Sequence, residues 1–335
     1  MLSALNKLVR GGSGSSTSSS NDDDQEPLSN AEKEAAAKLR ASCYVAIGKL
    51  GLKMPQLVNK DITIIQTFFE AMSTEDKETQ MSVQEALSMM APAFKAMDGK
   101  NLKMIEALLA TYIEKDEHQV RHVAVQYAGE VFPPSHTPSK FVLLLGAGDV
   151  KDEVSNEAKL HLYGPIHKAH EHQSKPSSVI KTGSETGMET DGIGQEQLLL
   201  LPDFLEMTSM VIDKGNMRMK TQQKVVIGST VLPFSASVYI QVLNYLRMCL
   251  IYNAGVVPHF DMLRDAQSEA PKVSQYITDF ITSADQSKKM RLKQLIEMTE
   301  TFLMAKQDTA QAQCLLQLLG KEYSLLSNNS IRCKV

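Results

Sequence analysis

Two histidines at helical spacing are the residues in this 335-residue sequence that most suggest chemistry. His118 and His122 are four positions apart, which places both imidazoles on one face of a helix, as in the zinc-binding helices of metalloproteases. Gln119 stands where such helices carry the glutamate that acts as general base, and no third ligand is predictable. We therefore favour a polar surface over a metal-dependent hydrolase that would use His118 and His122.

A second group of histidines lies in a stretch of different composition. His167, His170 and His172 fall within residues 164–197, which contain no Phe, Tyr or Trp and are rich in Ser, Thr, Gly, Lys and Glu. Histidine-rich tracts sometimes bind metal ions, but a segment of this composition supplies no frame to hold one. We interpret it as a solvated linker and assign these histidines no role.

The motifs of common enzyme classes are missing from the sequence. It contains no G-x-x-x-x-G-K-[ST] phosphate loop, no G-x-G-x-x-G after a strand and no G-x-S-x-G elbow. The four cysteines form no C-x-x-C pair, so neither a zinc site nor a thioredoxin-like redox site is predicted. We therefore predict a protein that is not an enzyme and needs no cofactor.

Composition and charge exclude several further classes of protein. With 35 Lys and Arg against 39 Asp and Glu, the chain lacks the basic excess of a dedicated nucleic-acid binder. The most apolar stretch, residues 231–257, is interrupted by Gln, Asn and Arg, so no transmembrane segment is predicted. A hydrophobic share of 43% with only 6% aromatic residues favours packed helices over β-sheets.

The hydrophobic periodicity predicts a run of antiparallel helix pairs without strands. Ser29 and Asn30 are predicted to cap the first helix, which Gly51 would end. Ser73-Thr74 are predicted to cap a later helix, and Gly164-Pro165 to stop the last helix of the first half. Charge runs such as residues 75–78 are interpreted as solvated first turns of helices.

The second helices of successive pairs resemble one another. Val120 recurs as Val154 and Ala124 recurs as Ala158, each after 34 residues. Weaker copies precede them and consist of Val83 and Ala86, about 38 residues earlier, and of Ala37, Ala41 and Val45. Two-helix repeats of this period predict an all-α fold, an α-solenoid of HEAT- or ARM-like repeats.

An aspartate precedes each of the two clearest second helices. Asp116 and Asp149 are predicted to cap these helices and to meet their positive ends. Together with Arg121 and Lys151 they are our candidates for a partner-binding surface, although Arg121 would serve equally in a ladder with an aspartate of the neighbouring repeat. Charge reversal at Arg121 separates these two roles.

The resulting division of the chain has six parts, defined by composition and periodicity. These are the end of a repeat helix at 1–10, a disordered Gly/Ser/Asp insertion at 11–30, HEAT-like repeats at 31–163, a disordered linker at 164–197, irregular helical repeats at 198–326 and a disordered tail at 327–335.

Several sequence blocks, in the same order, resemble the proteasome adaptor and scaffold family, a family of large HEAT-repeat proteins associated with the 26S proteasome. Among these blocks are MPQLVNKDI (54–62), QEALSMMAPAF (84–94), the stretch from QVRHVAVQYAGEVF to SNEA (119–158), RMKTQQK (218–224) and TVLPF (230–234). The chain is far shorter than members of this family, so we expect an internal fragment, a short isoform or a truncated gene model.

The resemblance implies a non-enzymatic role in binding the 26S proteasome, where such proteins tether the core particle to the regulatory particle and aid quality control. It also implies links to motor, endosomal and endoplasmic-reticulum proteins. The implied location is the cytoplasm and nucleus, with peripheral association to endoplasmic reticulum and endosomes. A cargo or transport receptor of the same HEAT class is the alternative, because a fold does not determine a function.

Overall fold

The computed structural model divides the chain into two compact units, Met1–Pro133 and Pro134–Val335, and each is described by itself. The described residues are 30–58, 60, 62–95, 99–133, 135–174, 199–207, 209–210, 225–227, 230–232, 236–256, 258 and 269–304. The predicted repeat-helix end at 1–10, nearly all of the insertion at 11–30, and the tail at 327–335 lie outside them.

The first unit consists of paired helices, in agreement with the predicted all-α class. Its elements are α1 (Asn30–Lys53), α2 (Pro55–Val58), α3 (Thr63–Thr74), α4 (Lys77–Met90), a 3₁₀ turn (Ala91–Phe94), α5 (Gly99–Tyr112) and α6 (His118–Glu130). Helix α4 packs against both α1 and α6, so the second helices of successive pairs lie side by side as in an α-solenoid.

Aromatic side chains join these helices in the core of the first unit. Phe69 of α3 stacks on Tyr112 of α5, with ring centroids 4.6 Å apart, and meets the ring of Tyr127 of α6 edge-on at 5.7 Å. The ring of Tyr44 of α1 is edge-on to Phe68 at 4.9 Å. Such edge-to-face and offset pairs stabilise the fold in addition to the stabilisation that comes from burying the rings.

Helices α1 and α4 approach closely where α1 carries glycine. A Cβ atom at Gly48 would lie 2.7 Å from the Cα of Ala86, and one at Gly51 would lie 2.6 Å from the Cγ of Met90. The prediction that Gly51 ends the helix is wrong, since α1 continues to Lys53. The glycine is there because α4 leaves no room for a side chain.

A polar ladder between α4 and α6 fixes the register of two successive repeats. The Oγ of Ser88 donates to Gln126, 38 positions later, over 2.8 Å. At the same offset, Nε2 of Gln84 lies 3.4 Å from Nδ1 of His122. Ala86 and Ala124, also 38 positions apart and both fully buried, therefore occupy equivalent positions, as the sequence repeat predicts.

The second unit is built around a helix that is buried on every side. Its longer helices in the described residues are α7 (Thr137–Ala147), α8 (Asp152–Ser174), α9 (Ala236–Asn253), α10 (Ala270–Ser283) and α11 (Gln286–Met304). Helix α7 packs against α8 and α9, and all of residues 139–147 are buried. On α8 the predicted repeat positions Val154 and Ala158 are fully buried.

Helix α8 continues beyond the predicted stop. It passes through Gly164 and Pro165 and ends at Ser174, so the first part of the predicted linker is helical. Proline removes one helical hydrogen bond and disfavours a helix, but the remaining hydrogen bonds of a long helix can offset this loss. His167, His170 and His172 thus lie on helical backbone, and the remaining linker at 175–197 is outside the described residues.

One small β-hairpin interrupts the helices. Strands β1 (Val225–Ile227) and β2 (Thr230–Leu232) are antiparallel, with Val225 opposite Leu232 and Ile227 opposite Thr230. The sequence analysis missed it, although β-branched residues on both sides of Gly-Ser are a recognised hairpin signal. In the part of the chain that the structure describes, no helix combines the length and hydropathy needed to cross a bilayer.

Candidate partner-binding face

Arg121 braces the turn that leads into α6. Its Nη1 atom donates hydrogen bonds to the backbone carbonyls of Lys115 and Asp116, over 2.8 and 2.7 Å. The structure places Glu117 at the N-cap of α6 with no capping side-chain bond, so the cap predicted at Asp116 is wrong. Asp116 instead contributes its carbonyl oxygen, and Asp116 and Arg121 form one local unit.

Asp149 and Lys151 form a second local pair, before α8. Oδ1 of Asp149 accepts a hydrogen bond of 2.9 Å from the backbone N–H of Lys151, immediately before α8 begins at Asp152. This bond closes the turn, a usual role for an aspartate two residues ahead of its donor. The pair belongs to the second unit, and its binding of a partner stays a prediction.

A charged cluster that the sequence analysis missed connects α1 to the start of α4. Nε and Nη2 of Arg40 donate to both carboxylate oxygens of Glu75, over distances of 3.0 to 3.2 Å. The Tyr44 hydroxyl donates to the same carboxylate over 3.3 Å. The side chain of Glu75 is 7% exposed and that of Arg40 19%, so the pair is largely shielded from water.

The electrostatics of this cluster follow from its burial. The hydrogen bond to Glu75 raises the pKa of Arg40 above its ordinary value. Burial, reinforced by the carboxylate of Glu75, raises the pKa of Tyr44. A bidentate guanidinium–carboxylate pair is among the stronger polar contacts in proteins, so this cluster fixes the approach of α1 to α4.

Asp76 caps α4, a role that the sequence analysis assigned to Ser73 and Thr74. Oδ1 of Asp76 accepts from the backbone N–H groups of Glu78 and Thr79, over 3.1 and 3.0 Å, and Oδ2 accepts from the Thr79 hydroxyl over 2.8 Å. These bonds, led by that from the Thr79 backbone, lower the pKa of Asp76. Asp76, Lys77 and Glu78 are exposed at the start of α4, as expected of a solvated first turn, whereas the side chain of Glu75 is shielded by its pair with Arg40.

A groove runs along the outer side of α1 and α4. Its first section, about 530 Å³, is lined by Lys33, Glu34, Ala37, Lys38, Arg40, Ala41, Asp76, Glu78, Thr79 and Ser82. The next section, about 380 Å³, is lined by Ala41, Ser42, Val45, Ala46, Lys49 and Ser82. The sections share Ala41 and Ser82, so they form one continuous groove, called the α1–α4 groove below.

His118 and His122, for which a polar surface was favoured over metal binding, lie on the neighbouring helix, α6. The Nδ1 atom of His122 faces Nε2 of Gln84, as part of the ladder between repeats. Within the residues that the structure describes, no three His, Cys, Asp or Glu side chains are close enough together to hold a metal ion. Gln84 and His122 therefore serve the packing between repeats.

The second unit buries a cationic side chain in its core. Lys140 of α7 is 5% exposed, and this burial lowers its pKa to about 8. Burial also raises the pKa of the nearby Cys249 thiol, on α9, to about 12. Because this region is shielded from solvent, both groups favour their neutral forms more than they would in water.

Comparison with known proteins points to one family. Residues 14–146 match the family described as "Proteasome component ECM29, N-terminal". The chain is 40% identical over 246 residues to the human "Proteasome adapter and scaffold protein ECM29", covering 73% of this chain and 12% of that protein. It is 28% identical over 306 residues to the Drosophila melanogaster "Proteasome-associated protein ECM29 homolog", covering 83% of this chain and 16% of that protein. The chain thus spans a small part of either relative.

Proposed function

The chain is an ECM29-like protein whose residues 14–146 match the N-terminal region of that family, and we propose that it is a non-enzymatic adaptor that binds the 26S proteasome. The observation that carries this proposal is the 40% identity to a human protein named a proteasome adapter and scaffold. In the finer form of the proposal, the chain contacts both the core and the regulatory particle and holds them together.

The arrangement of helices supports an adaptor. Repeats that stack side by side expose an extended surface to a large partner, because each repeat buries only the sides that meet its neighbours. The ladder between α4 and α6 holds two such repeats in fixed register. A partner would therefore meet a preformed face, which limits the entropy lost on binding.

Purified 26S proteasome and the tagged full chain test this proposal directly. The chain is immobilised, proteasome is added at moderate salt, and retained subunits are identified by mass spectrometry. We expect core and regulatory subunits to be retained together. Retention of only one particle would contradict the tethering role, and retention of neither by a folded helical chain would overturn the adaptor proposal. Selective capture of nuclear-transport cargo would favour the receptor alternative.

Charge reversal of Arg121 separates its two predicted roles. Arg121→Glu removes the two hydrogen bonds to the turn before α6, and their exposure limits the expected loss of stability to about 1 kcal/mol. Lys103→Glu, on the exposed side of α5, is the matched control. Lost proteasome retention with no more than this loss of stability would identify Arg121 as a contact, whereas a much larger loss of stability would identify a ladder between repeats.

We also propose, from family resemblance alone, that the chain is cytoplasmic and nuclear, with peripheral association to endoplasmic reticulum and endosomes through motor, endosomal or endoplasmic-reticulum proteins. Imaging of a fluorescently tagged chain together with organelle fractionation tests this. A uniform signal without any membrane-associated fraction would contradict the peripheral association and leave proteasome binding unaffected.

A further inference from the structure

One end of the first unit carries a surplus of exposed lysines. It consists of the two connectors between successive repeats and the helix ends beside them, called the connector edge below: residues 49–58, 60, 95 and 99–103. The connectors lie side by side, because α2 packs against the 3₁₀ turn, and a Cβ atom at Gly51 would lie 2.6 Å from Met90 and 3.2 Å from Val58 of α2. The exposed lysines of this edge are Lys49, Lys53, Lys60, Lys95, Lys100 and Lys103.

Few acidic groups are close enough to neutralise these lysines. The residues of the connector edge include no Asp or Glu. Asp61 and Asp98 neighbour them in sequence, outside the described residues, and Glu106 lies one turn further along α5, so basic residues still outnumber acidic ones two to one. Apart from Lys100, none of these lysines makes an ion pair within the described residues.

The opposite end of the first unit has the reverse charge. There the turns within each helix pair, residues 75–78 and 114–117, contain six acidic residues and two lysines. Because the paired helices are antiparallel, each end of the unit contains both positive and negative helix ends, so helix dipoles do not account for the difference. Lys100 and Lys103 lie in the first turns of α5, where the helix dipole disfavours positive charge. Helix stability therefore does not explain why the lysines collect at one end.

Large apolar side chains are exposed among these lysines. Leu52, Met54 and Leu57 are 51%, 42% and 38% exposed, at the corner where the chain leaves α1 and passes through the single turn of α2. None of the three lines the α1–α4 groove. A partner helix needs a groove to enter, whereas apolar side chains on an outer corner suit a broad surface that they can penetrate.

From this combination we propose that the connector edge binds the surface of a membrane that contains anionic phospholipids. The lysine ammonium groups meet the lipid head groups, while Leu52, Met54 and Leu57 enter the boundary between head groups and acyl chains. The acidic opposite end of the unit then faces away from the bilayer, which favours one orientation. The inference concerns direct contact with lipid, so it depends neither on proteasome binding nor on the protein-mediated association proposed above.

Vesicle sedimentation with the full chain tests the proposal. The probe is a vesicle of phosphatidylcholine and phosphatidylserine at a ratio of about two to one, and vesicles of phosphatidylcholine alone are the control. The fraction of protein that sediments with increasing lipid, at low and at near-physiological salt, gives the affinity. We expect saturable binding to the anionic vesicles that salt weakens, and binding at least about tenfold weaker to the neutral ones.

Two charge-matched variants show whether binding occurs at the connector edge. The first reverses three exposed lysines of the edge and should weaken binding at least about tenfold, since each lysine near an anionic surface contributes to affinity: Lys53→Glu, Lys60→Glu and Lys95→Glu. The second changes the net charge equally but reverses three exposed lysines at the other end of the unit: Lys33→Glu, Lys77→Glu and Lys115→Glu. Because those positions lie away from the lipid and are screened by salt, this control should stay within about threefold of the parent.

An uncharged variant tests the role of the apolar side chains. Leu52→Gln combined with Met54→Gln leaves the net charge unchanged, and it should weaken binding about tenfold because these side chains no longer gain from leaving water. Circular dichroism shows whether each variant keeps its helices.

Several results would overturn the proposal. These are equal binding to neutral and anionic vesicles, equal effects of the two triple variants, and unchanged binding by the folded apolar variant. Full displacement of the chain from vesicles by soluble polyglutamate, with no effect of the apolar variant, would assign the edge to an acidic polypeptide instead. None of these results bears on proteasome retention, which is measured separately.

Discussion

Replacing Lys140 by methionine should stabilise the second unit. The Lys140 side chain is 5% exposed on α7, and burial lowers its pKa from the ordinary value of 10.5 to about 8. The difference between these two pKa values corresponds to a cost of roughly 3 kcal/mol to the folded state at neutral pH, where the amine is charged. Methionine has an unbranched side chain like that of lysine but carries no charge. With about 1 kcal/mol lost to imperfect repacking, we expect the free energy of unfolding to rise by about 2 kcal/mol.

The pH dependence gives a sharper test. Between pH 8 and 10.5 the lysine is mostly neutral in the folded state and still protonated in the unfolded state, so the unfolded state binds more protons. Stability of the parent therefore rises with pH across this window because of Lys140. The advantage of Lys140→Met should be complete below pH 8 and disappear near about pH 10, where the remaining cost of the charge falls to the ~1 kcal/mol lost to repacking. The buried tyrosines titrate in both proteins, so their contribution cancels in the difference.

Urea denaturation followed by far-ultraviolet circular dichroism, at several pH values, measures this difference. Lys151→Met is the matched control, because Lys151 is exposed and its replacement should change little. If Lys140→Met were no more stable than the parent at neutral pH, the buried charge would not destabilise the folded state by the amount given above. A gain that did not change with pH would show that packing, and not the titration of Lys140, is its source.

Two further predictions concern the contact between α1 and α4. Gly48→Ala should destabilise the first unit by about 1–3 kcal/mol despite the better helix propensity of alanine, because its Cβ would lie 2.7 Å from the Cα of Ala86. Gly99→Ala, with no atom within 4 Å, is the control, and equal melting temperatures for the two variants would contradict this contact. A double-mutant cycle of Arg40→Ala and Glu75→Ala should give a coupling free energy of about 1–3 kcal/mol. A coupling free energy near zero would show that the ion pair contributes nothing to stability.

The periodic features of the fold could be predicted from sequence because they repeat. Ala86 and Ala124 are small for the same reason, since each lies where neighbouring helices of successive repeats meet, and the offset of 38 positions is the one that the ladder bonds show. The spacing of the apolar residues also predicts the helices, because residues such as Val83 and Val120 must face the core. Both inferences need only local spacing, which a single sequence contains.

The groove and the cluster beside it could not be predicted in this way. Arg40 and Glu75 are 35 positions apart, and nothing local distinguishes them from the other charged residues of their helices. Gly51 has the chemistry of a helix terminator, yet it lies inside α1 because Met90 occupies the space of its side chain. Only the three-dimensional packing shows that Arg40 and Glu75 pair across two helices and that Gly51 lies inside a helix.

The same packing also shapes the groove. Close approach of Gly48 to Ala86 brings α1 and α4 together at one end, and the Arg40–Glu75 pair ties α1 to the start of α4 at the other. Between these two fixed points the small side chain of Ala41 cannot fill the space, so a groove remains. Apart from Arg40, which is paired with Glu75, the groove is lined by three basic side chains, Lys33, Lys38 and Lys49, and by three acidic ones, Glu34, Asp76 and Glu78. The contacts that stabilise α1 against α4 therefore also shape the groove and determine which charges it presents.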